Sequence, residues 1–348
     1  MSIPTLDTSK IIPSHQEEPM NRKLKNKRAV VLAFLAPIVL TYAVVALFVS
    51  EPKQNMITQA EPVVSAVQES APVAQPAEDA SAKEVISPDG LTPYRAHVIS
   101  DAGAILAHNT TMIGKDYPGQ YSFIFMDKET GEVVTFNEEK VYTSASLYKL
   151  FVAYAVLSKV DQGYITLDTV IDGYTVDSLL NAAITVSSNE AAVSLASFLG
   201  WDRIEDFIFT QGYKATTFNT YLNENGVAVT GTLQTTAQDV SKLLNRLHGR
   251  HLLSANSTDY FLDLLAKQQL IYALNQGLTE EVTFAHKTGI LDDVSHDAGI
   301  ISYNGKDYIV VTMTDGWSNA TSEATPAMER TGWAIMAFLG EKEHRTIK

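Results

Sequence analysis

The sequence predicts an α+β domain in which one antiparallel sheet, completed by strands from both chain ends, packs against a helical part. Three observations predict it. Strand-like runs occur early, at 121–126 and 132–136. They return late, at 282–286, 298–303 and 308–314, with a tight turn at Asn304-Gly305. Between the two groups the apolar residues recur at helical spacing. Strands and helices segregated along a chain favour segregated layers rather than a parallel alternating sheet.

Composition narrows the function. The chain of 348 residues is longer than one typical domain needs, so segments outside a single core are expected. A net charge of −14 argues against nucleic acid as a partner. There is no cysteine, which excludes disulfides, thiolate metal sites, a cysteine nucleophile and a lipidated-cysteine anchor.

Residues 1–28 are polar and end in the basic group Arg22, Lys23, Lys25, Lys27 and Arg28. They read as a cytoplasmic tail. Residues 29–49 carry no charge, and about 20 apolar residues span a bilayer. With basic residues clustered before the run, the charge rule places the N-terminus inside and the rest outside. A single transmembrane anchor is therefore expected at 29–49, with a cleaved signal peptide as the alternative. Residues 50–93 hold Pro52, Pro62, Pro72, Pro76, Pro88 and Pro93 without helical or strand period, and read as an extended linker. The folded domain is expected at 94–340, and 341–348 as a tail.

Within the domain the two early strands form a hairpin through Lys128-Glu129-Thr130-Gly131. A helix opens at Ser146, carries Leu147, Leu150, Phe151, Tyr154 and Leu157 on its apolar positions, and stops at Gly163. Residues 178–199 are helical with a break at Ser187-Ser188-Asn189. A short helix at 202–210 closes at Gly212, and 213–233 has no period and reads as loop. Thr236-Ala237-Gln238-Asp239 forms a capping box that opens a helix towards Leu247. Helices are also expected at 262–274 and 325–339.

Three motifs carry the chemistry. Ser146 and Lys149 lie three apart in a helix, hence on one face. A serine hydroxyl is a weak nucleophile until a base takes its proton, and a lysine whose pKa is lowered by burial can be that base. The spacing is common; Ser50-Glu51-Pro52-Lys53 repeats it in the linker. At the helix break, Ser187 offers a hydroxyl that can relay a proton, and Asn189 an amide that can hold a substrate carbonyl. The bland reading of this triplet is a helix N-cap. Lys287-Thr288-Gly289 ends a strand, where a lysine and a hydroxyl suit a substrate carboxylate and a glycine allows close approach.

Taken together, these motifs resemble those of the class A β-lactamases and penicillin-binding proteins, which carry S-x-x-K, S-D-N and K-T-G in this order. The stretches His286-Lys287-Thr288-Gly289 and His296-Asp297-Ala298-Gly299-Ile300 add to the likeness. The resemblance implies a β-lactamase/transpeptidase-like fold. It makes Ser146 the acylated nucleophile, Lys149 its base and Ser187 the proton relay. It assigns Asn189, Lys287, Thr288 and Gly289 to substrate binding, and the backbone N–H groups of Ser146 and Ile290 to the oxyanion. No cofactor is implied. The expected partner is a β-lactam or a peptidoglycan stem peptide.

The pattern departs from the family in places. Class A enzymes activate the deacylating water with a loop glutamate. Matching Leu222-Asn223 to the family's Leu-Asn puts Asn219 at that position, with Glu224 the other candidate. Ser188 stands where the family has aspartate. An arginine frequent after K-T-G is absent: Ala298 lies near its place, and His296 is a candidate substitute, although a hairpin histidine is expected to be exposed. His248 and His251 lack H-E-x-x-H, so no metal is expected. No G-x-S-x-G elbow occurs. Three functions follow: a β-lactamase-type hydrolase, a D-alanyl-D-alanine carboxypeptidase or penicillin-binding protein that deacylates slowly, and a non-catalytic wall-associated binding protein.

Overall fold

The structure, a computed structural model, describes residues 96–346 except 118, 119, 224 and 227. The expected anchor at 29–49, the linker and Glu224 lie outside the described residues. Among the described residues no helix is long and apolar enough to cross a membrane.

One five-stranded antiparallel sheet organises the domain. Its strands are β1 (Gln120–Asp127), β2 (Val133–Phe136), β9 (Thr283–Ile290), β10 (Ser295–Tyr303) and β11 (Lys306–Asp315), in the order β2-β1-β11-β10-β9. Both chain ends thus complete one sheet, as the sequence predicts. β1 is buried along almost its whole length because both sheet faces are covered. Phe123 and Phe125 face a cluster with Leu106, Ile113, Ile335 and Phe338. Ile124 and Met126 face the larger cluster of the helical part.

The first cluster is supplied by α1 (Asp101–Asp116) and α9 (Thr325–Thr346). The sequence reading did not anticipate α1. Ser100 caps it by accepting from Gly103 N, and the Glu132 carboxylate accepts from Ile99 N and Ser100 N at 3.0 and 2.8 Å. That carboxylate is 32 residues away from Ser100, so no local pattern announces the cap. α9 runs to Thr346, into the stretch expected to be tail.

The helical part follows β3 (Val141–Thr143) and a 3₁₀ turn at Ala145–Leu147. It comprises α2 (Tyr148–Asp161), a small hairpin of β4 (Val170–Ile171) and β5 (Tyr174–Thr175), α3 (Val176–Thr185), α4 (Asn189–Leu199) and α5 (Trp201–Thr210). A second small hairpin, β6 (Tyr221–Leu222) and β7 (Ala228–Val229), lies within the expected loop, and β8 (Gln234–Thr236) pairs with β3. Then come α6 (Ala237–His248), α7 (Ala255–Ala266), a 3₁₀ turn at Ala273–Gly277, and α8 (Ala320–Glu323) after the sheet.

Two local readings change. The helix expected at 262–274 is α7, which starts earlier because Ser254 caps it and is itself held by the Asp161 carboxylate, 2.7 Å from Ser254 N. Beyond it Gln268 donates to Ile184 O at 2.9 Å, which turns the chain away from helix. The capping box at Thr236 is half made. Thr236 accepts from Asp239 N, but the Asp239 carboxylate accepts instead from Ala215 N and Thr216 Oγ1, both at 2.9 Å.

Candidate active site

Ser146 sits in the 3₁₀ turn, one residue before α2 begins. The preceding Ala145 adopts φ 44°, a left-handed conformation that an alanine takes only under tertiary constraint. Part of that constraint comes from β9. A Cβ on Gly289 would lie 3.1 Å from Ser146 N and from Ala145 Cβ, and 3.3 Å from Ser144 O. Only a glycine lets the strand press onto the turn this closely. Ile290 follows as the last residue of the strand.

Lys149 lies one turn along and is almost wholly buried. Its Nζ donates to Ser146 Oγ at 3.1 Å, Ser187 O at 2.5 Å, Ser187 Oγ at 3.2 Å and Asn189 Oδ1 at 2.7 Å. Burial lowers its pKa to about 8, opposed by the nearby Glu190 charge. Such an amine is neutral in a usable fraction of molecules near neutral pH.

The break between α3 and α4 delivers Ser187 and Asn189. Ser187 has φ 59°, which turns its hydroxyl and carbonyl inwards. Ser188 is the N-cap of α4, accepting from Ala191 N at 3.2 Å. The cap reading of the triplet is thus correct for Ser188, and the cap is what aims its two neighbours at Lys149.

Lys287 reaches the same hydroxyl from the sheet. Its Nζ donates to Ser187 Oγ at 2.9 Å and to Thr288 O at 2.7 Å. Burial and then the Lys149 charge lower its pKa to about 7, against an opposing contribution from Asp297. Ser187 Oγ therefore lies between two lysines. Thr288 Oγ1 is buried beside them, with the Tyr272 hydroxyl as its side-chain neighbour.

Hydrogen bonds thus bring together Ser146, Lys149, Ser187, Asn189 and Lys287, Gly289 packs on the Ser146 turn, and Thr288 and Ile290 flank it in β9. Asn219 makes no hydrogen bond to any of them. The Asn219 amide donates to Thr232 O and, at 3.3 Å, to Gln234 Oε1. The loop is held from beneath by Phe218, edge-on to Tyr148 and Trp201, and by Glu205. Glu205 accepts from Thr217 Oγ1, Phe218 N and Thr220 N. Burial alone would raise its pKa, but these bonds outweigh it and hold the carboxyl below its usual range.

His296 corrects an expectation. It is fully buried in β10. Its Nε2 donates to Thr143 O at 2.8 Å while Nδ1 accepts from Thr314 N at 3.2 Å, so the ring is the neutral Nε2–H form. Burial lowers its pKa to about 4, against the opposing bonds to Thr143 and Ser295. It buttresses the strand that leads into the Ser146 turn. Ala298 pairs with Lys287, and it is Asp297 that stands opposite Thr288. Sequence reasoning gave no role to Glu205 or Asp297, because each acts through a partner distant in sequence. Among the described residues no group of three histidines and acids could hold a metal.

A serine and a buried lysine on an α+β frame of this topology define a class of acyl-transferring serine enzymes. The chain belongs to the beta-lactamase enzyme family, whose model matches residues 106–339. It is a serine hydrolase of the β-lactamase and penicillin-binding protein superfamily. No curated protein matches it in sequence. Among solved structures, PBP-A superposes with a TM-score of 0.62 at 19% identity, covering 72% of this chain and 100% of PBP-A. A beta-lactamase from Chitinophaga pinensis gives 0.60 at 19%, covering 66% and 97%. An ancestral class A beta-lactamase gives 0.59 at 24%, covering 66% and 98%. These likenesses confirm the β-lactamase/transpeptidase-like fold.

Proposed function

We propose that the chain is an extracytoplasmic active-site serine hydrolase that forms an acyl-enzyme on Ser146 with β-lactams or D-alanyl-D-alanine-like amides. The observation that carries this reading is the position of Lys149 Nζ, 3.1 Å from Ser146 Oγ. Neutral Lys149 takes the hydroxyl proton as Ser146 Oγ attacks the amide carbon. The backbone N–H groups of Ser146 and Ile290 receive the oxyanion. Ser187 Oγ, between the two lysines, passes a proton to the departing nitrogen, so the amide C–N bond breaks and the acyl group stays on Ser146. Lys287 and Thr288 bind the substrate carboxylate, and Asn189 binds its amide carbonyl.

A second reading within this mechanism rests on Asn219. Its amide is turned onto its own loop, and no carboxylate hydrogen-bonds Lys149 among the described residues. Water activation is then weak, which favours a penicillin-binding protein or carboxypeptidase over an efficient antibiotic hydrolase. PBP-A itself has been solved, as a mutant, in an acyl-enzyme complex with penicillin G. The uncharged run at 29–49, with basic residues before it, supports an anchor that holds the domain on the cell-wall side.

Intact mass against time after mixing with penicillin G tests the proposal. An adduct on the wild-type chain that is absent from Ser146→Ala supports it. An adduct that persists favours the wall-peptide reading, and one that clears as penicillin is consumed favours the β-lactamase reading. A Ser146→Ala protein that still forms the adduct removes the central claim.

A further inference from the structure

A pocket of about 310 Å³ lies in the helical part, between α2, the end of α4 and α5. No residue assigned to the acylation chemistry lines it. Its floor is apolar. Ala155 and Ile204 are buried, and Ile165, Leu199 and Phe207 pack against the larger core cluster. The Phe207 ring lies 4.9 Å from that of Tyr154, whose hydroxyl donates to Gln211 Oε1 at 3.1 Å. A floor held from behind in this way is preformed. Two large rings of the lining stay uncovered, Tyr164 at 75% exposure and Phe198 at 48%.

The charged lining is all of one sign. Lys159 and Arg203 line the pocket and no carboxylate does. In a chain with 40 acidic and 26 basic residues, this is a local reversal of the overall charge. Among the described residues neither cation is in a salt bridge. Lys159, in the last turn of α2, donates to Gln162 Oε1 at 3.2 Å and lies 5.1 Å from the Tyr164 ring centre. Arg203 is placed by the tight turn between α4 and α5. Gly200 takes φ 92° there, and a Cβ on it would lie 3.3 Å from Arg203 Cδ. The arginine stem therefore lies along bare glycine backbone. The acids nearest in sequence are engaged elsewhere. Asp161 accepts from Ser254 Oγ and Ser257 Oγ, both at 2.6 Å, and Asp202 lines a different cleft with Glu205 and Asp206.

An apolar floor with two cations and no acid fits a ligand with an apolar body and an anionic head. At about 30 Å³ for each water-sized atom, the volume holds about ten non-hydrogen atoms, which is too few for a long lipid chain. We propose that this pocket binds a small amphipathic carboxylate of about the size of octanoate. Its tail lies over Ala155, Ile204 and Phe207, and its head meets Lys159 and Arg203. The inference stands apart from the acylation reading, since the two share no residue.

The test titrates the full chain, labelled at isoleucine and leucine methyl groups, with octanoate, neutral octanamide and octylammonium, followed by NMR. Octanoate is expected to shift the methyl signals of Ile165, Leu199 and Ile204 and to bind in the millimolar range or tighter. Replacing Lys159→Gln together with Arg203→Gln should weaken octanoate by roughly 3–30-fold, a few-fold for each exposed charge, and leave octanamide unchanged. Octanamide should bind the wild type more weakly than octanoate by a similar factor. The paired reversal Lys159→Glu with Arg203→Glu should turn the preference to octylammonium. The glutamine pair carries the test if the reversed protein does not fold.

Equal binding of octanoate and octanamide overturns the inference, as does an octanoate affinity unmoved by the glutamine pair. Methyl shifts confined to residues outside the pocket overturn it, and so does the absence of any shift at millimolar octanoate. Whether penicillin G acylates Ser146 does not bear on any of these outcomes.

Discussion

Lys149 reaches Ser146, Ser187 and Asn189 within 3.2 Å, whereas the Asn219 side-chain amide on the 213–233 loop bonds to Thr232 and Gln234. The first region is closed over its polar groups by residues from three elements. The second is tied down by Glu205 and Phe218, and its Asn219 amide bonds back onto Thr232 and Gln234. The contrast separates two halves of one reaction. Attack on an amide is prepared in advance by buried, preoriented groups. Release by water needs a base whose place the loop does not fill with a carboxylate at Asn219. A serine hydrolase can therefore be complete for acylation and slow in turnover.

The largest effect should come from breaking the first region. Lys149→Met is expected to slow penicillin acylation by about 10²–10⁴-fold in stopped-flow measurements, the usual contribution of a general base. In the wild type the same rate should rise with pH through about 8, as Lys149 loses its proton. A rate flat across that range would remove Lys149 as the base.

The buttress beneath Ser146 should show next. Burial holds His296 near 4 against 6.5 for a free histidine. As pH falls, the unfolded chain takes up that proton first, so stability is lost between pH 6.5 and 4. The loss is about 3 kcal/mol over that range, at about 1.4 kcal/mol per pH unit. Urea unfolding at several pH values measures it. His296→Asn should show a flatter acid limb, and an unchanged limb would assign the acid sensitivity elsewhere.

Changing the second region sharpens the comparison. Asn219→Glu places a carboxylate where the loop lacks one and is expected to speed loss of the penicillin adduct by roughly 10–100-fold. No change in adduct lifetime would mean that the loop geometry, rather than the missing acid, limits deacylation. The smallest effect is expected from Glu205→Gln. It weakens the bonds to Phe218 N and Thr220 N and should lower stability by about 1–2 kcal/mol in urea unfolding. Acylation should not change, since Glu205 touches none of the site residues.

Much of this was legible in the chain, for identifiable reasons. Apolar period places α2, α5 and the strands, because burial of one face is a local property of sequence. The break at Ser187-Ser188-Asn189 was readable because Ser188 caps α4 by a bond to a residue three positions on. α1 was missed because the buried Glu132 completes its cap from across the fold. His296 was misplaced on the surface because exposure is set by what packs over a hairpin, here Thr143 and Thr314.

By itself the sequence determined the order of the elements and the three reactive motifs, since periodicity, caps and residue chemistry act over a few positions. Only the tertiary structure decided that Ser187 would lie between Lys149 and Lys287, which are 138 positions apart in numbering and meet at one hydroxyl. It alone decided that Asp297, not Ala298, would stand opposite Thr288. Strand register and burial are set by contacts between distant residues, and a shift of one position exchanges the faces of every side chain on the strand.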